Sequence, residues 1–540
     1  MNNESASALP EGWASTTLEQ LVPHDGLFTD GDWVESKDQD PHGEVRLIQL
    51  ADVGDQTFND KSARFLTLAK ANELACSFLQ QGDILVARMP DPLGRSCIFP
   101  LKGKEKFVTV VDVCIVRVDA NQISNKFLSY WINSPYIRQE IDKLKSGSTR
   151  KRISRKNLSN VVFPIAPYLE QIRIVEKIEE LFSELDKGVE SLKTAREQLE
   201  IYRQSLLKAA FEGKLTEQWR KDNTDTLQPP EEFLNRIQKE RLGRYGGQLE
   251  NWKSDVQLWE ESGKNGKKPV RPQKPKDIDE IDPGEKALLP DLPQTWAYAR
   301  LGAIIDSIEA GKSFKCDERE PLDNEVGVAK VSAVSWGEYD ESESKTCKDL
   351  GKVVPDYFIR EGDFLISRAN TIELVGAVVI VRAVKKQVML SDKTLRINMA
   401  DFVKPFILHY LRSKTGRSQI MNRSTGNQDS MRNIGQDRLR SICVPICAQS
   451  EMVMVAEILE EELAHVDEQI EGIENAFTAS DALRQSILKT AFSGRLVSQD
   501  PNDEPAAILL ERIKKERAES EVLAKKAKAV VKKKPKRKAS

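Results

Sequence analysis

The sequence predicts an α+β protein in which two globular domains are each followed by a long helix, and the two helices pair as an antiparallel coiled coil. Similar blocks recur in the same order about 280 residues apart, such as SLLKAAFEGKL (205–215) with SILKTAFSGRL (486–496), and GDILVAR (82–88) with GDFLISR (362–368). That period is too long for a solenoid, so the chain is a tandem, pseudo-symmetric repeat of whole modules. Heptad-spaced apolar residues after each globular region predict the paired helices.

The first globular region, 1–165, and its counterpart, 291–446, mix two kinds of pattern. Segments rich in β-branched residues predict strands, as in DILVAR (83–88), VVDVCIVRV (110–118), EVGVAKVSAV (325–334) and AVVIVRAV (377–384). Amphipathic segments at 125–144 and 404–421 each predict one helix. About 150 residues are enough for each region to bury its own core.

The helical regions are 166–220 and 447–518, and the first helix, if it is continuous, runs from Tyr168 to Phe211. Eight of ten seam positions are apolar in each copy, with Arg203 and Arg484 at matching positions. Either these arginines pack their stems and extend their heads into solvent, or they fix the register of the pair. The residues predicted to form the apolar seam of the coiled coil are Val175, Ile178, Phe182, Leu185, Val189, Leu192, Leu199, Leu459, Leu463, Val466, Ile470, Ile473 and Phe477.

Residues 221–290 between the copies are rich in Pro and Lys, which predicts an extended linker with a short helix at 231–242. At the other end of the chain, 519–540 contains nine Lys or Arg and two Glu. We predict that this tail is disordered; it is either a solvated segment or an arm that touches nucleic acid.

The total charge conceals this distribution. The 540 residues contain 81 Lys or Arg and 84 Asp or Glu, a net charge of −3, which by itself argues against a nucleic-acid binder. Seven irregularly spaced Cys do not form a disulfide framework. The start of the chain is not a signal peptide and no apolar run is long enough to span a membrane, so we expect a cytoplasmic protein with no membrane association.

A polar, basic segment follows the amphipathic helix of each globular region: KSGSTRKRISRK (145–156) and RSTGNQDSMRNIGQDRLR (423–440). These residue types contact phosphates and base edges. A solvated loop is the alternative, but recurrence at the same place favours nucleic-acid contact, and the different sequences predict different specificities. The predicted contact residues are Lys145, Ser148, Thr149, Arg150, Lys151, Arg152, Arg155 and Lys156 in the first region, Arg423, Ser424, Asn427, Gln428, Arg432 and Asn433 in the second, and Arg88, Arg368 and Lys393 beside them.

Motifs of catalysis are missing from the sequence. We find no amino-methyltransferase motif, no Gly-rich cofactor loop after a strand, no metal-ligand spacing and no Ser/His/Asp cluster. The segment from Asp306 to Ser313 comes near a P-loop, but Asp306 stands where the first glycine is needed, and we interpret it as a strand-to-loop turn facing nucleic acid. We therefore expect no catalytic residues and no metal in this chain.

The chain resembles the specificity subunits of type I restriction–modification enzymes. The resemblance rests on NLSNVVFPIAPYLEQIRIVEKIEELFSELD (157–186), SLLKAAFEGKLTEQWR (205–220) and SILKTAFSGRLVSQDPNDEPAAILLERIKKERA (486–518), with LFTDGDWVESKD (27–38) and EAGKSFKCDER (309–319) in the globular regions. It covers nearly the whole chain and fails at 243–290 and 519–540.

The resemblance implies a non-catalytic reader of double-stranded DNA. Each globular region would be a target recognition domain for one half of an asymmetric, bipartite site. The paired helices would set the distance between the halves and dock two modification (methyltransferase) subunits, which would carry S-adenosylmethionine. Restriction (motor-nuclease) subunits, with ATP and Mg, would join for cleavage.

Two other classes of protein remain open from the residues alone. A coiled-coil scaffold that only bridges proteins would show no sequence-selective DNA binding. A self-contained enzyme would transfer a methyl group without a partner.

Overall fold

The computed structural model describes residues 9–23, 26–89, 92–101, 106–147, 150–272, 274–275, 279–428 and 431–532. The chain has a mixed α and β fold and divides into two compact units. The first unit comprises Met1–Lys193 and Glu474–Ser540, and the second comprises Thr194–Ile473. Each unit therefore contains one globular region together with part of each long helix.

The first unit contains a four-stranded sheet, a three-stranded sheet and a separate strand pair. Its strands are β1 (Ala14–Thr17), β2 (Leu27–Asp30), β3 (Val45–Ile48), β4 (Phe65–Leu66), β5 (Ile84–Ala87), β6 (Ser96–Ile98), β7 (Lys106–Thr109), β8 (Val113–Arg117) and β9 (Val162–Ile165). The orders are β2-β8-β5-β6 and β4-β3-β7, and β1 pairs with β9.

The same strand order occurs in the second unit. Its strands are β10 (Ala297–Arg300), β11 (Ile305–Ala310), β12 (Val326–Ala329), β13 (Ser344–Thr346), β14 (Phe364–Ser367), β15 (Ala369–Asn370), β16 (Val378–Ile380), β17 (Gln387–Met389), β18 (Thr394–Met399), β19 (Thr425–Gln428), β20 (Met431–Asn433) and β21 (Cys443–Ile446). The orders are β11-β18-β14-β16 and β13-β12-β17, β10 pairs with β21, and a further sheet has the order β15-β20-β19.

Strand β5 shows why these segments fold as they do. All four of its residues are buried, and successive side chains enter different cores: Ile84 and Val86 lie in the cluster shared with the helices, and Leu85 and Ala87 in a second cluster between the sheets. A strand buried on both faces is continuously apolar. The predicted strands at 83–88, 110–118, 325–334 and 377–384 are confirmed.

Helices connect and flank these sheets. They are α1 (Leu18–Leu21), α2 (Leu68–Glu73), α3 (Asn125–Ile132), α4 (Pro135–Leu144), α5 (Arg155–Ser159), α6 (Tyr168–Phe211), α7 (Glu217–Asp222), α8 (Pro230–Glu261), α9 (Pro283–Lys286), α10 (Leu301–Ile304), α11 (Lys404–Arg412), α12 (Lys414–Arg423), α13 (Gln436–Arg440), α14 (Gln449–Phe492) and α15 (Ala506–Lys532). None of the helices in the described ranges is apolar enough over a sufficient length to cross a membrane.

The helices predicted at 125–144 and 404–421 are each broken into two. Ser134 is extended (ψ 153°) before Pro135, because the proline ring disfavours helical geometry in the preceding residue. Ser413 is also extended, and its hydroxyl caps the next helix by accepting a hydrogen bond from the backbone N–H of Gly416 at 3.2 Å.

The first long helix has the predicted bounds, Tyr168–Phe211. In the first unit, Arg484 of α14 pairs with Asp186 of α6, and its guanidinium lies 5.1 Å from the ring centre of Phe182. In the second unit, Arg203 of α6 pairs with Asp467 of α14. The arginine heads therefore bind a residue of the other helix, which agrees with the role in register.

The linker contains a helix much longer than the predicted 231–242. Helix α8 continues to Glu261, and its first turns are anchored by the buried side chains of Phe233 and Ile237. Farther along, the indole N–H groups of Trp252 and Trp259 donate to the carbonyls of Pro269 and Gly266, at 3.0 and 3.2 Å. The Pro/Lys segment thus folds back on the helix instead of extending.

The basic tail also differs from the prediction of disorder from residue 519. Helix α15 continues through Lys532, since Ala, Lys and Glu, which favour helices, dominate this stretch. Its first turns are held to the first unit by buried Ala506, Leu509 and Ile513. Residues 533–540 lie outside the described part of the chain.

Candidate nucleic-acid interface

The predicted loop of the first unit connects α4 to α5. Its base is a bridge between Ser146 and Arg152, which exchange two backbone hydrogen bonds of 2.9 Å. Gly147 has φ +94°, a conformation that favours glycine and lets the chain turn sharply. Ser148 and Thr149 lie outside the described residues.

Exposure separates the cations of this loop. The exposed members are Arg150, Arg152, Arg155 and Lys156. Lys145 and Lys151 are half-buried, and Lys145 pairs with Asp142. The guanidinium of Arg155 lies 3.4 Å from the hydroxyl of Thr29 at the end of β2. The loop therefore lies beside the end of that strand.

Arg88 lies beneath this loop and not on its surface. Its side chain is 13% exposed and pairs with Asp30 at 3.2 Å. Its Nη atoms donate to the carbonyls of Val111 and Ile153, at 2.6 and 3.3 Å. Arg88 therefore ties the ends of β2 and β5 to the loop.

Sequence reasoning included the turn after β2 in the family resemblance of 27–38, but it did not predict Trp33 as a contact residue. Trp33 lies in this turn, three residues after the end of β2, and is 70% exposed. The turn is fixed by Asp32, whose carboxylate accepts the N–H of Ser77 at 3.0 Å. Burial raises the pKa of Asp32, against the lowering effect of this bond. The signal in the sequence was the aromatic Trp33 within the polar, acidic segment LFTDGDWVESKD (27–38).

In the second unit the corresponding loop is a hairpin. Strands β19 and β20 pair with each other, and β20 pairs with β15, which directly follows β14. The side-chain carbonyl of Asn433 accepts from Nε of Arg368 at 3.5 Å. Arg432 is half-buried and Met431 is 71% exposed. Asn427 and Gln428 belong to β19 by their backbone, and their side chains lie outside the described part.

Two predicted residues at the start of this segment have inward contacts. Arg423 pairs with Glu285 and donates from Nε to the hydroxyl of Ser441 at 3.0 Å. Burial would raise the pKa of Glu285, but bonding to Arg300 and the charges of Arg300 and Arg423 hold it below its usual value. The hydroxyl of Ser424 donates to the carbonyl of Met421 at 2.9 Å and closes α12.

The turn after β11 borders the same surface. The hydroxyl of Ser313 bonds Asp392, and Asp392 pairs with exposed Lys393 at 3.3 Å. The carbonyl of Lys393 accepts the N–H of Arg368 at 2.9 Å. Lys312, inside the segment interpreted as a turn facing nucleic acid, is exposed beside Ser313.

Both units thus bring together three pieces: the turn after β2 or β11, the end of β5 or β14, and the segment after α4 or α12. The backbone carbonyl of Arg88 accepts from Ile153, and that of Arg368 accepts from Ile434. Within the described residues, no cluster of three or more His, Cys, Asp or Glu is arranged to hold a metal ion. Each surface therefore presents polar and cationic side chains from segments that are joined by backbone hydrogen bonds.

Comparison with known proteins finds relatives of this chain in one class of protein. Residues 11–198 match the family described as the type I restriction modification DNA specificity domain. The type I restriction enzyme EcoEI specificity subunit of Escherichia coli is 24% identical over 488 residues, covering 81% of this chain and 75% of that protein. The EcoKI specificity subunit of Escherichia coli strain K12 is 24% identical over 424 residues, covering 75% of each.

Over most of its length, the chain is similar to type I restriction–modification specificity subunits. The fold of this chain is shared with a solved chain from work on complex assembly and conformational transition of the type I R-M system. The TM-score is 0.60 at 16% identity, over 90% of this chain and 99% of the other.

Proposed function

We propose that this specificity subunit reads an asymmetric, bipartite site on double-stranded DNA, with one target recognition domain (1–165 and 291–446) for each half. The observation that carries the proposal is the pair of surfaces built on one plan from different residues. The first presents a cationic loop with Arg150 and Arg152, and the second an amide-bearing hairpin with Asn433. Two unlike readers specify an asymmetric site, whereas two identical readers would specify a palindrome.

We infer that the chain is a tandem repeat whose long helices form an antiparallel coiled coil between the two readers. The equal strand orders of the two units support the repeat. The pairs Asp186–Arg484 and Arg203–Asp467 support the antiparallel direction, because residue numbers rise along one helix as they fall along the other. Such a pair is a rigid spacer, each helix being about 65 Å long at 1.5 Å per residue.

Within each reader the residues divide into two roles. Exposed cations such as Arg150, Arg152 and Lys393 contact phosphates or bases, and Trp33 and Lys312 join them. Arg88 and Arg423 act as positioning residues, because their guanidinium groups are bound to carbonyl oxygens and carboxylates of the protein.

The chemistry of the complex belongs to partner subunits in this proposal. Two modification subunits bind the helices and carry S-adenosylmethionine for adenine methylation, and restriction subunits bring ATP and Mg. The specificity subunit is itself non-catalytic and acts with them in the cytoplasm. The identity of its relatives does not favour a scaffold without DNA specificity.

Selection from a pool of random duplexes tests the proposal. The chain is assembled with its methyltransferase partner, and bound DNA is recovered at a salt concentration that suppresses non-specific binding. We expect two different half-sites at one fixed spacing, and no methyl transfer by the chain with S-adenosylmethionine alone. A palindromic motif would contradict the two-reader proposal, and an absence of enrichment would favour the scaffold.

A further inference from the structure

A cavity of about 510 Å³ in the second unit is not used by the proposed DNA reading. It lies between the long helices and the globular region of this unit. Its charged and aromatic lining consists of Arg203, Trp336, His409, Arg412, Arg417 and Asp467.

Polar atoms in this lining are buried without partners. His409 is 5% exposed, and neither of its ring nitrogens has a hydrogen-bond partner among the described residues. The same holds for Nε of Arg412. Buried polar atoms ordinarily have partners, so these atoms point to a missing one. Burial, and then the charges of Arg412 and Arg382, lower the pKa of His409 to about 4, so at neutral pH its ring is uncharged and carries one N–H donor.

The charge of the lining is positive. Arg203 is compensated by Asp467, with which it pairs. Arg412 donates to the carbonyls of Gly337 and Val378, and Arg417 donates to neutral carbonyls as well, which satisfies hydrogen bonds without cancelling charge. Both guanidinium groups are half-buried, and a charge that is partly removed from water without a counter-charge is costly. An anion in this cavity would remove that cost.

At the corresponding place in the first unit, the charge of an arginine is neutralised by side chains of the protein itself. Arg138 donates to the carbonyl of Leu93 at 2.8 Å, as Arg417 does to the carbonyl of Val375. There, Arg138 also pairs with Asp55 at 3.2 Å and donates to the side-chain oxygen of Asn133 at 2.8 Å.

The second unit has replaced each of these compensating groups. Trp336 takes the place of Asp55, two residues after the first member of matching β-bridges, Val53–Phe58 and Val334–Tyr339. Arg412 takes the place of Asn133, directly before the serine that precedes α4 or α12. One carboxylate is lost and one guanidinium is gained.

We propose that this cavity binds one small oxyanion of the phosphate class, held by Nε of Arg412 and the ring N–H of His409. Arginine suits this ligand because its planar guanidinium matches the geometry of phosphate oxygens. The site goes beyond sequence reading and does not depend on it. The phosphate could be free or esterified, or belong to a DNA backbone.

Titration of the full chain with inorganic phosphate, at constant ionic strength maintained with chloride, tests the site. We expect one saturable phosphate per chain and a thermal midpoint that rises with phosphate concentration. Arg412→Asn, which installs the residue of the first unit, should weaken binding by about tenfold or more, the usual effect of losing a charged hydrogen bond. Arg360→Asn, at an exposed arginine of the same unit outside the cavity lining, should bind as the unmodified chain does.

His409→Tyr, which also installs the residue of the first unit, provides a second test if Arg412→Asn does not fold, and it should weaken binding as well. Non-saturable binding, which means an adventitious ion only, would overturn the proposal, as would unchanged affinity in either folded variant. Repeating the titration with saturating duplex DNA identifies the source. Displacement of phosphate by DNA supports a backbone phosphate as the ligand, and undiminished binding supports a free one.

Discussion

Two glycines occupy the same position in the two units, at the turns that follow β2 and β11. A Cβ on Gly31 would lie 2.3 Å from the carbonyl oxygen of Val110, and one on Gly311 would lie 1.8 Å from that of Leu390. No real Cβ approaches a backbone oxygen so closely, so both turns depend on glycine for space. The chain thereby brings each turn against the neighbouring backbone beside the proposed reading surface.

Gly311→Ala should therefore destabilise the second unit by about 1–3 kcal/mol, the usual cost of overpacking a closely packed site. Urea unfolding measures the change. Gly472→Ala is the matched control, because a Cβ there meets nothing within 4 Å and alanine favours a helix, so that variant should be neutral or more stable. Equal stabilities for the two variants would mean that the close approach is not present.

The exposed and buried arginines of the first reader should respond differently to substitution. Arg152→Ala should reduce the dependence of log K on log salt by about one unit, because one phosphate contact is lost, with little effect on stability. Arg88→Ala should lower the free energy of unfolding, because its inward contacts with Asp30 and Val111 are lost.

Binding at several salt concentrations and chemical unfolding separate these effects. Lys187→Ala, at an exposed position on α6, is the control and should change neither quantity. Equal salt dependence of binding for Arg152→Ala and Lys187→Ala would contradict a phosphate contact by Arg152.

At the scale of elements, local patterns were sufficient for some predictions and insufficient for others. The heptad spacing from Val175 to Leu206 correctly predicted the long helix α6, since periodicity sustained over four to five heptads is a strong signal. The length of α8 was missed because the Pro and Lys content of 221–290 as a whole suggested a linker, although Tyr245, Trp252 and Trp259 repeat with heptad spacing. The inward placement of Arg88 and Arg423 could not be predicted, because Val111 and Glu285 are distant in sequence.

The long helices carry a prediction of their own. Inserting seven residues after Gly188 in α6 and seven after Gly472 in α14 preserves the heptad phase and lengthens the pair by about 10.5 Å. We expect the spacer between the half-sites to grow by about three base pairs, with both half-sites unchanged. A methylation map measures the new spacing.

Five-residue insertions at the same two positions serve as the control. At about 100° per residue they rotate the apolar seam by roughly 140°, away from the partner helix, and should abolish binding. An unchanged spacer with the seven-residue insertions would contradict the role of the helices as a ruler.

At the scale of the whole molecule, the small net charge conceals a strongly uneven distribution. The cations of 145–156 and the basic end of the chain are offset by acidic residues elsewhere. Helix α15 presents part of that basic end as an ordered extension of the first unit. Net charge alone therefore says little about binding in a chain built of separate readers and helices.

Deleting 519–540 tests the contribution of the basic tail. We expect weaker non-specific binding and a smaller salt dependence, because cations near the DNA are removed, with the recognised motif unchanged. Competition with non-specific duplex at several salt concentrations measures both quantities. An unchanged non-specific affinity and an unchanged salt dependence would mean that the tail is solvated and does not contact DNA.

The central claim, that one chain carries two independent DNA readers, is tested most directly by exchanging one of them. Residues 10–165 are replaced with the corresponding region of a related specificity subunit, and the methylated motif is mapped across a genome. The account predicts that one half-site changes while the other half-site and the spacing stay the same. A change in both half-sites, or in neither, would contradict it.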